Sequence, residues 1–451
     1  MSTTSTTSAK EPSPSVLRRA IAASAIGNAT EWFDYGVYGA ATIYITNHIT
    51  GGSIIVTLLG FAVSFVLRPL GGFIWGPLGD RIGRRAVLSM TIILMSGATF
   101  LLAFIPTYAT IGVAAPIILV ALRVIQGFST GGEYGGAATF MAEYAPDKKR
   151  GFYGSFLEFG TLSGLAGGAL LMLLLQVATP DSFMNSWGWR IPFMVAAPLG
   201  LVGLYLRTRL EDTPVFRELE EKGEKEEKAS AALGEVIRNH WRTILVLMGL
   251  VVALNVVNYT LLSYMPTYLQ DTIHLSANKA LLLPIIGEVV MMIFIPFAGR
   301  LSDHIGRKPV WLISMVGLFV LAIPAYMLMG ANFGLAILAF VVLGLLYILQ
   351  LGTISATFPA MFPATVRYAG FAIGYNVSTA LFGGTSSLVN EWMIGVTGSN
   401  IFPAYYMMGA CAIGIIAWFF MKETAGASIR GTKVPEAART ATGKFIRPSA
   451  V

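Results

Sequence analysis

From about Val16 onward, apolar stretches recur along the chain with only short polar breaks between them. A helix needs about 20 apolar residues to cross the hydrocarbon core of a bilayer. Twelve stretches meet that requirement, centred near Tyr35, Phe65, Thr99, Gln126, Gly164, Pro198, Asn255, Glu288, Leu318, Gly344, Ser378 and Gly414. The pattern predicts an all-α polytopic membrane protein with twelve transmembrane helices. Composition agrees: residues of the AVILMFWYC set make up 55% of the chain and DEKR only 12%, where a soluble domain carries about 25% charged residues. The 49 glycines fit membrane helices, in which glycine is frequent.

Loop charge supports the same count. Of the 31 Lys and Arg residues, Arg190 and Lys279 fall in odd-numbered loops and Arg68 and Arg123 fall within spans. The other 27 lie at the N-terminus, in even-numbered loops or at the C-terminus. Basic residues accumulate on the cytoplasmic side, so both termini are expected in the cytoplasm of a multi-pass protein of the cell (inner) membrane. The net charge of +7 is accounted for in this way and does not point to nucleic acid. Residues 1–15 are polar and expected to be a disordered tail without a secretory h-region. A first six-helix bundle is expected over 16–208, a charged cytoplasmic linker over 209–242, a second bundle over 243–422 and a cytoplasmic tail over 423–451. The linker holds 16 charged residues in 34.

Several function classes are excluded. A single cysteine, Cys411, allows no intrachain disulfide. His48, His240, His274 and His304 are too scattered to pair as metal ligands at helical spacing. No GxxxxGK[ST] phosphate loop is present, so no ATP hydrolysis on this chain drives it. No nucleophile, metal or cofactor constellation marks an enzyme, and no cofactor is expected.

An internal repeat sets the architecture. GPLGDRIGRR (Gly76–Arg85) follows the second span and GRLSDHIGRK (Gly299–Lys308) the eighth, 223 residues later, with six of ten positions identical. Two six-helix halves in parallel repeat are the transporter arrangement, with substrate held between the halves near the midplane. Neither a channel nor a receptor with short loops needs this duplication. The decapeptide, twice present, resembles the signature of the major facilitator superfamily. The strings GNATEWFDYGVYG (Gly27–Gly39), RPLGG (Arg68–Gly72), QGFSTGGEY (Gln126–Tyr134), AEYAPDKKRGF (Ala142–Phe152), LLSYMPTYL (Leu261–Leu269), FPAYYMM (Phe402–Met408) and KETA (Lys422–Ala425) are similar to its metabolite:proton symporter family. The resemblance implies proton-coupled symport by alternating access, with a small solute and a proton as ligands. The 29 residues after Lys422 contain Pro435 and Pro448 and no a/d heptads, so the C-terminal coiled coil of compatible-solute relatives is not expected.

Eight charged residues fall within spans: Glu31, Asp34, Arg68, Arg123, Glu133, Glu158, Glu288 and Glu391. Facing lipid at the bilayer centre, each would cost roughly 2.5–3.5 kcal/mol. The total would exceed a typical net stability of about 5–15 kcal/mol, so they must face the bundle interior, water or one another. In the first span, Glu31, Asp34, Tyr35 and Tyr38 share one helical face with Asn28. In the fourth, Arg123, Gln126, Thr130 and Glu133 do the same. The resemblance implies that both spans line the cavity. Six carboxylates face two guanidiniums, and a buried carboxylate without a partner is expected to take up a proton. Glu31, Asp34 and Glu133 are the candidate proton carriers, with Arg123 competing for the deprotonated form and Glu288 a further coupling or substrate candidate.

Trp32, Tyr35, Tyr38, Tyr134 and Tyr259 offer aromatic faces that suit an onium group. Gln126, Asn255 and Asn376 offer polar contacts, beside Asn28. A dicarboxylate would call for more than two arginines, which favours a zwitterion such as betaine, proline or ectoine over citrate, oxoglutarate or shikimate. The repeated loops are expected to gate. Gly76, Gly83, Gly299 and Gly306 permit a tight turn, and Asp80 and Asp303 can accept from helix N-termini of the opposite half. Arg81, Arg84, Arg85 and Arg307 can pair with carboxylates at the same end. The resemblance adds Glu143, Arg150 and Arg367 to this latch.

Overall fold

The computed structural model describes residues 14–82, 84–131, 133–208, 229–363, 366–429 and 434–437. Every regular element among them is helical. The first half contains α1 (Pro14–His48), α2 (Ile54–Val66), α3 (Arg68–Ile82), α4 (Arg84–Leu102), α5 (Ala114–Thr130), α6 (Glu133–Tyr144), α7 (Arg150–Ala178) and α8 (Ile191–Thr208). The second contains α9 (Ala229–Asn258), α10 (Ala277–Ile305), α11 (Arg307–Met329), α12 (Phe333–Leu351), α13 (Arg367–Phe382), α14 (Thr385–Thr397) and α15 (Phe402–Phe420). Each expected span centre lies within one of these helices. Three spans are broken in two, as α2–α3, α5–α6 and α13–α14. In the first, Pro69 lacks the N–H that would continue the ladder.

Length and exposure both suit a bilayer. Among the described residues seven helices are long and apolar enough to cross unaided. The 29 residues of α10 rise about 44 Å. Large apolar side chains line the outer surface, with Phe420 72%, Val177 69% and Leu201 66% exposed, as expected where the solvent is lipid.

Glycines bring the helices together. Gly160, Gly164 and Gly168 repeat every fourth residue on α7 and lie against the backbone of α1. A Cβ at these positions would strike Ala25 O, Ala29 O and Val37 N respectively. Such small-residue ladders drive helix association where the hydrophobic effect cannot. The halves meet along α7 against α10, α2 against α14, and α1 against the end of α9.

Two expected boundaries shift. The stretch expected as a linker is helical from Ala229 and bends at His240, where φ is −121° and ψ 15°. The run AlaSerAlaAlaLeu is rich in helix formers, which outweighs its place in a charged segment; residues 209–228 lie outside the described residues. Residues 423–429, within the expected tail, pack against the bundle; 430–433 and 438–451 lie outside the described residues. Glu423, Thr424, Ala425 and Ile429 are buried, because Glu423 finds backbone donors there.

Candidate coupling site and latch

The polar face of α1 looks into the protein. Asp34 and Arg123 form an ion pair, Nη1 to Oδ2 at 2.7 Å, and both side chains are almost fully buried. The Arg123 guanidinium lies 3.8 Å from the Tyr38 ring centroid, and Tyr38 donates to Thr57 O at 2.7 Å. Gln126 Nε2 donates to Asp34 Oδ1 at 3.3 Å and to Thr99 Oγ1 at 2.5 Å. One guanidinium thus serves one carboxylate, while Arg123 Nε and Nη2 lack hydrogen-bond partners.

A second pair sits one helical turn away. Arg68, the first residue of α3, donates to the Tyr35 hydroxyl and approaches Glu31 Oε1 at 3.7 Å. Its guanidinium lies 4.4 Å from the Phe65 centroid. These rings continue into the other half. Trp32 stacks on Tyr259 with centroids 6.1 Å apart, and Phe65 meets Tyr259 edge-on at 4.9 Å. Tyr259 begins a π-helical turn, Tyr259–Ser263, that ends α9. The result is an aromatic cluster shared by both halves, with a cation at one edge. Rings arranged like this can hold an onium group, and the neighbouring arginines can receive a carboxylate.

The remaining candidates are spread around this centre. Tyr134 donates to Glu158 Oε1 at 2.5 Å and stacks on Tyr375 across the seam at 4.7 Å. Asn28 Nδ2 donates to Leu157 O and to Thr161 Oγ1, so it ties α1 to α7. Asn376 Nδ2 donates to Gly131 O in the opposite half at 2.9 Å. Asn255 Nδ2 donates to Thr379 Oγ1 and stays within the second half. Glu288, on α10, joins neither ion pair. The Glu133 side chain lies outside the described residues.

At one end the halves are latched. Asp303 accepts from Gly151 N at 2.8 Å and Phe152 N at 2.9 Å, the free donors in the first turn of α7. Arg307 Nη2 donates to the same carboxylate at 2.7 Å. Arg367 and Glu143 pair across the seam at 3.2 Å. Gly299 and Gly151 face each other so closely that a Cβ on either would meet the other's carbonyl oxygen. Gly306 turns the chain from α10 to α11 at φ 102°, a conformation open to glycine. Of the first-half motif, Gly76 lies in α3. The side chains of Asp80, Arg81, Arg84 and Arg85, and all of Gly83, lie outside the described residues.

Several contributors escape the sequence reading. Arg68 stands with Glu31 at the aromatic cluster, although its position on the chain marks it equally well as a helix-packing charge. Phe65 and Tyr375 are aromatic residues among many, with no signal of their own. Glu423 accepts from Arg307 N and Lys308 N at 2.9 and 3.0 Å and so caps α11. Arg150 donates to Ala427 O at 3.0 Å and Arg367 donates to Ile429 O. Ile429 itself packs with Ala142 and Ala360, one from each half. The lone carboxylate just after the last span was the only sequence signal for this arrangement.

A profile of the Major Facilitator Superfamily matches residues 24–388. The chain is 42% identical over 443 residues to the glycine betaine/proline/ectoine/pipecolic acid transporter OusA of Dickeya dadantii, covering 95% of this chain and 88% of that protein. It is 42% identical to the proline/betaine transporter of Escherichia coli K12, covering 92% and 85%. It is 39% identical to the ectoine/proline transporter ProP of Corynebacterium glutamicum, covering 93% and 86%. Among solved structures it is similar to the proton:xylose symporter XylE bound to 6-bromo-6-deoxy-D-glucose, with TM-score 0.72 and 20% identity over 93% of this chain and 98% of that one. The inward-open xylose transporter XylE from E. coli superposes with TM-score 0.69 at 19% identity, over 92% of this chain and 98% of that one. The duplicated helical halves, the closed seam with its buried ion pairs, and these relationships agree: the chain is a membrane transporter, not an enzyme, and belongs to the Major Facilitator Superfamily.

Proposed function

We propose that this protein is a proton-coupled symporter of zwitterionic compatible solutes, proline and glycine betaine foremost and ectoine beside them, working by alternating access. The observation that carries the reading is the aromatic cluster of Trp32, Tyr35, Phe65 and Tyr259, which spans both halves and has Arg68 at its edge. A zwitterion uses both features: its onium end meets ring faces and its carboxylate meets a guanidinium. The names of the relatives, which include betaine, proline, ectoine and pipecolic acid, support the same chemistry.

Coupling rests on competition for carboxylates. One or more of Glu31, Asp34 and Glu133 carries the proton, and Arg123 holds Asp34 when it is ionised. Protonating Asp34 releases Arg123, and a solute carboxylate then replaces the lost partner. The latch of Asp303, Arg307, Glu143, Arg150 and Arg367 closes the cytoplasmic end, where Asp80, Arg81, Arg84 and Arg85 complete it. The charge asymmetry of the loops supports cytoplasmic termini and a place in the inner membrane. Ligand binding need shift such a two-state balance by only a few kcal/mol.

Uptake of labelled glycine betaine or proline, compared with citrate and measured with and without a protonophore, tests the reading. Saturable zwitterion uptake that the protonophore abolishes is the expected result. Citrate uptake alone, or full proton-driven accumulation after neutralising each of Glu31, Asp34 and Glu133 singly, would overturn it.

A further inference from the structure

We propose that Glu288, with Ser263, forms a second protonation site that is sealed only when the two halves close on it. The Glu288 side chain is 2% exposed and its Oε2 has no hydrogen-bond partner; the Ser263 hydroxyl is likewise buried and without one. Both line a cavity of about 10 Å³ at the seam, with Tyr35, Gly36 and Leu165 on the opposite wall. That volume is close to one water molecule. Among the described residues, the buried carboxylates Asp34, Glu31 and Glu158 have donors. Asp34 has Arg123, Glu31 has Arg68, and Glu158 has the hydroxyls of Tyr134 and Thr161.

A carboxylate sequestered in this way requires a proton or a cation, and among the described residues no basic side chain lines the cavity. Facing Glu288, α1 contributes one titratable group, Tyr35, whose hydroxyl already accepts from Arg68. From α7 come Leu165 and Ala169, and from the end of α9 come Leu262 and Ser263. Towards α12, the glycine next to Glu288 meets Phe340. The site therefore takes a proton carried by water. A hydronium in the cavity transfers its proton to Oε2, breaking one O–H bond and forming another, and remains as a water bonded to Ser263. When the halves part, Oε2 returns the proton to bulk water on the other side. The π-turn of Tyr259–Ser263 brings Ser263 to the seam. There its carbonyl oxygen lies against Gly39 of α1, 2.9 Å from where a Cβ would sit, so closure of α1 seals the cavity.

This inference rests on the symport reading above, and the experiment separates the two. In proteoliposomes containing the full chain, the proton-to-solute ratio is measured from reversal potentials, beside solute counterflow at equal concentrations. Glu288→Gln is expected to keep counterflow, with apparent affinity within about twofold, while the ratio falls by one proton per solute. Ser263→Ala, which leaves the carboxylate in place, is expected to shift the pH dependence of accumulation and to spare counterflow; it decides the matter if Glu288→Gln does not fold. An unchanged ratio and pH profile would overturn the inference. So would a tenfold loss of affinity at an unchanged ratio, which marks a solute anchor, or Na⁺-stimulated counterflow that Glu288→Gln abolishes, which marks a metal cation. Wild-type protein without protonophore-sensitive zwitterion uptake would sink the symport reading itself.

Discussion

Replacing Asp34 with Ala leaves the Arg123 guanidinium buried at 0% side-chain exposure without its ion-pair partner among the described residues. Breaking a buried pair from one side costs about 3–5 kcal/mol, because the orphaned charge stays desolvated. The Tyr38 ring, 3.8 Å from that guanidinium, offsets about 0.5–2 kcal/mol. Gln126 keeps Thr99 as a partner and adds little. A net loss of about 1–4.5 kcal/mol is expected for Asp34→Ala. Arg123→Met removes the charge and retains much of the stem volume, so the double variant Asp34→Ala/Arg123→Met should be more stable than Asp34→Ala alone. Reversible unfolding in mixed micelles measures all four corners of the cycle. A coupling of about 2 kcal/mol is expected, whereas independent sites add within about 0.3–0.5 kcal/mol. Additivity within that margin would refute the view that the two side chains form one buried charge pair. None of the three variants should accumulate solute against a gradient, whatever its stability.

Four further outcomes follow from the geometry. Gly299→Val places a side chain against Gly151 O, so the latched state should be inaccessible and transport should fall more than tenfold while labelling of a cysteine introduced at that end rises. Arg367→Gln removes the 3.2 Å bond to Glu143 together with the bonds from the buried guanidinium to Pro359 O and Ile429 O; about 1–3 kcal/mol, or more than about fivefold in the open population, should appear in the same labelling assay. Glu423→Gln weakens the cap on Arg307 N and Lys308 N and should lower thermal stability in detergent by about 1–3 kcal/mol, with Ile429→Ala weaker in the same direction. Trp32→Ala removes one face of the shared aromatic cluster. Binding of a quaternary ammonium zwitterion should weaken by about 0.5–2 kcal/mol, read by calorimetry.

How much of this was legible beforehand varies from residue to residue. Spacing puts Asp34 on one face of α1 and Arg123 with Gln126 on one face of α5, and the cost of charge in lipid turns those faces inward. Asp303 was assigned to a helix N-terminus of the opposite half, and it accepts from Gly151 N and Phe152 N there. Arg68 and Glu288 show what spacing leaves open. Both are single charges in apolar runs, yet one meets Glu31 and an aromatic cluster while the other lines a small cavity that it shares with Ser263. Helix-to-helix neighbours decided that difference, and no period within one helix encodes them.

The chain by itself therefore determined the number of spans, their division into two repeated halves, and the placing of charge away from lipid. These follow from local rules: hydrocarbon thickness, helical pitch, and the cost of a charge in lipid. Only the tertiary structure decided which arginine holds which carboxylate, that Tyr259 completes a ring cluster begun on α1, and that residues 423–429 are stitched into the latch. Those outcomes depend on how rigid helices cross, and the crossings are set by glycines such as Gly164 and Gly299, whose missing side chains let distant stretches of backbone touch.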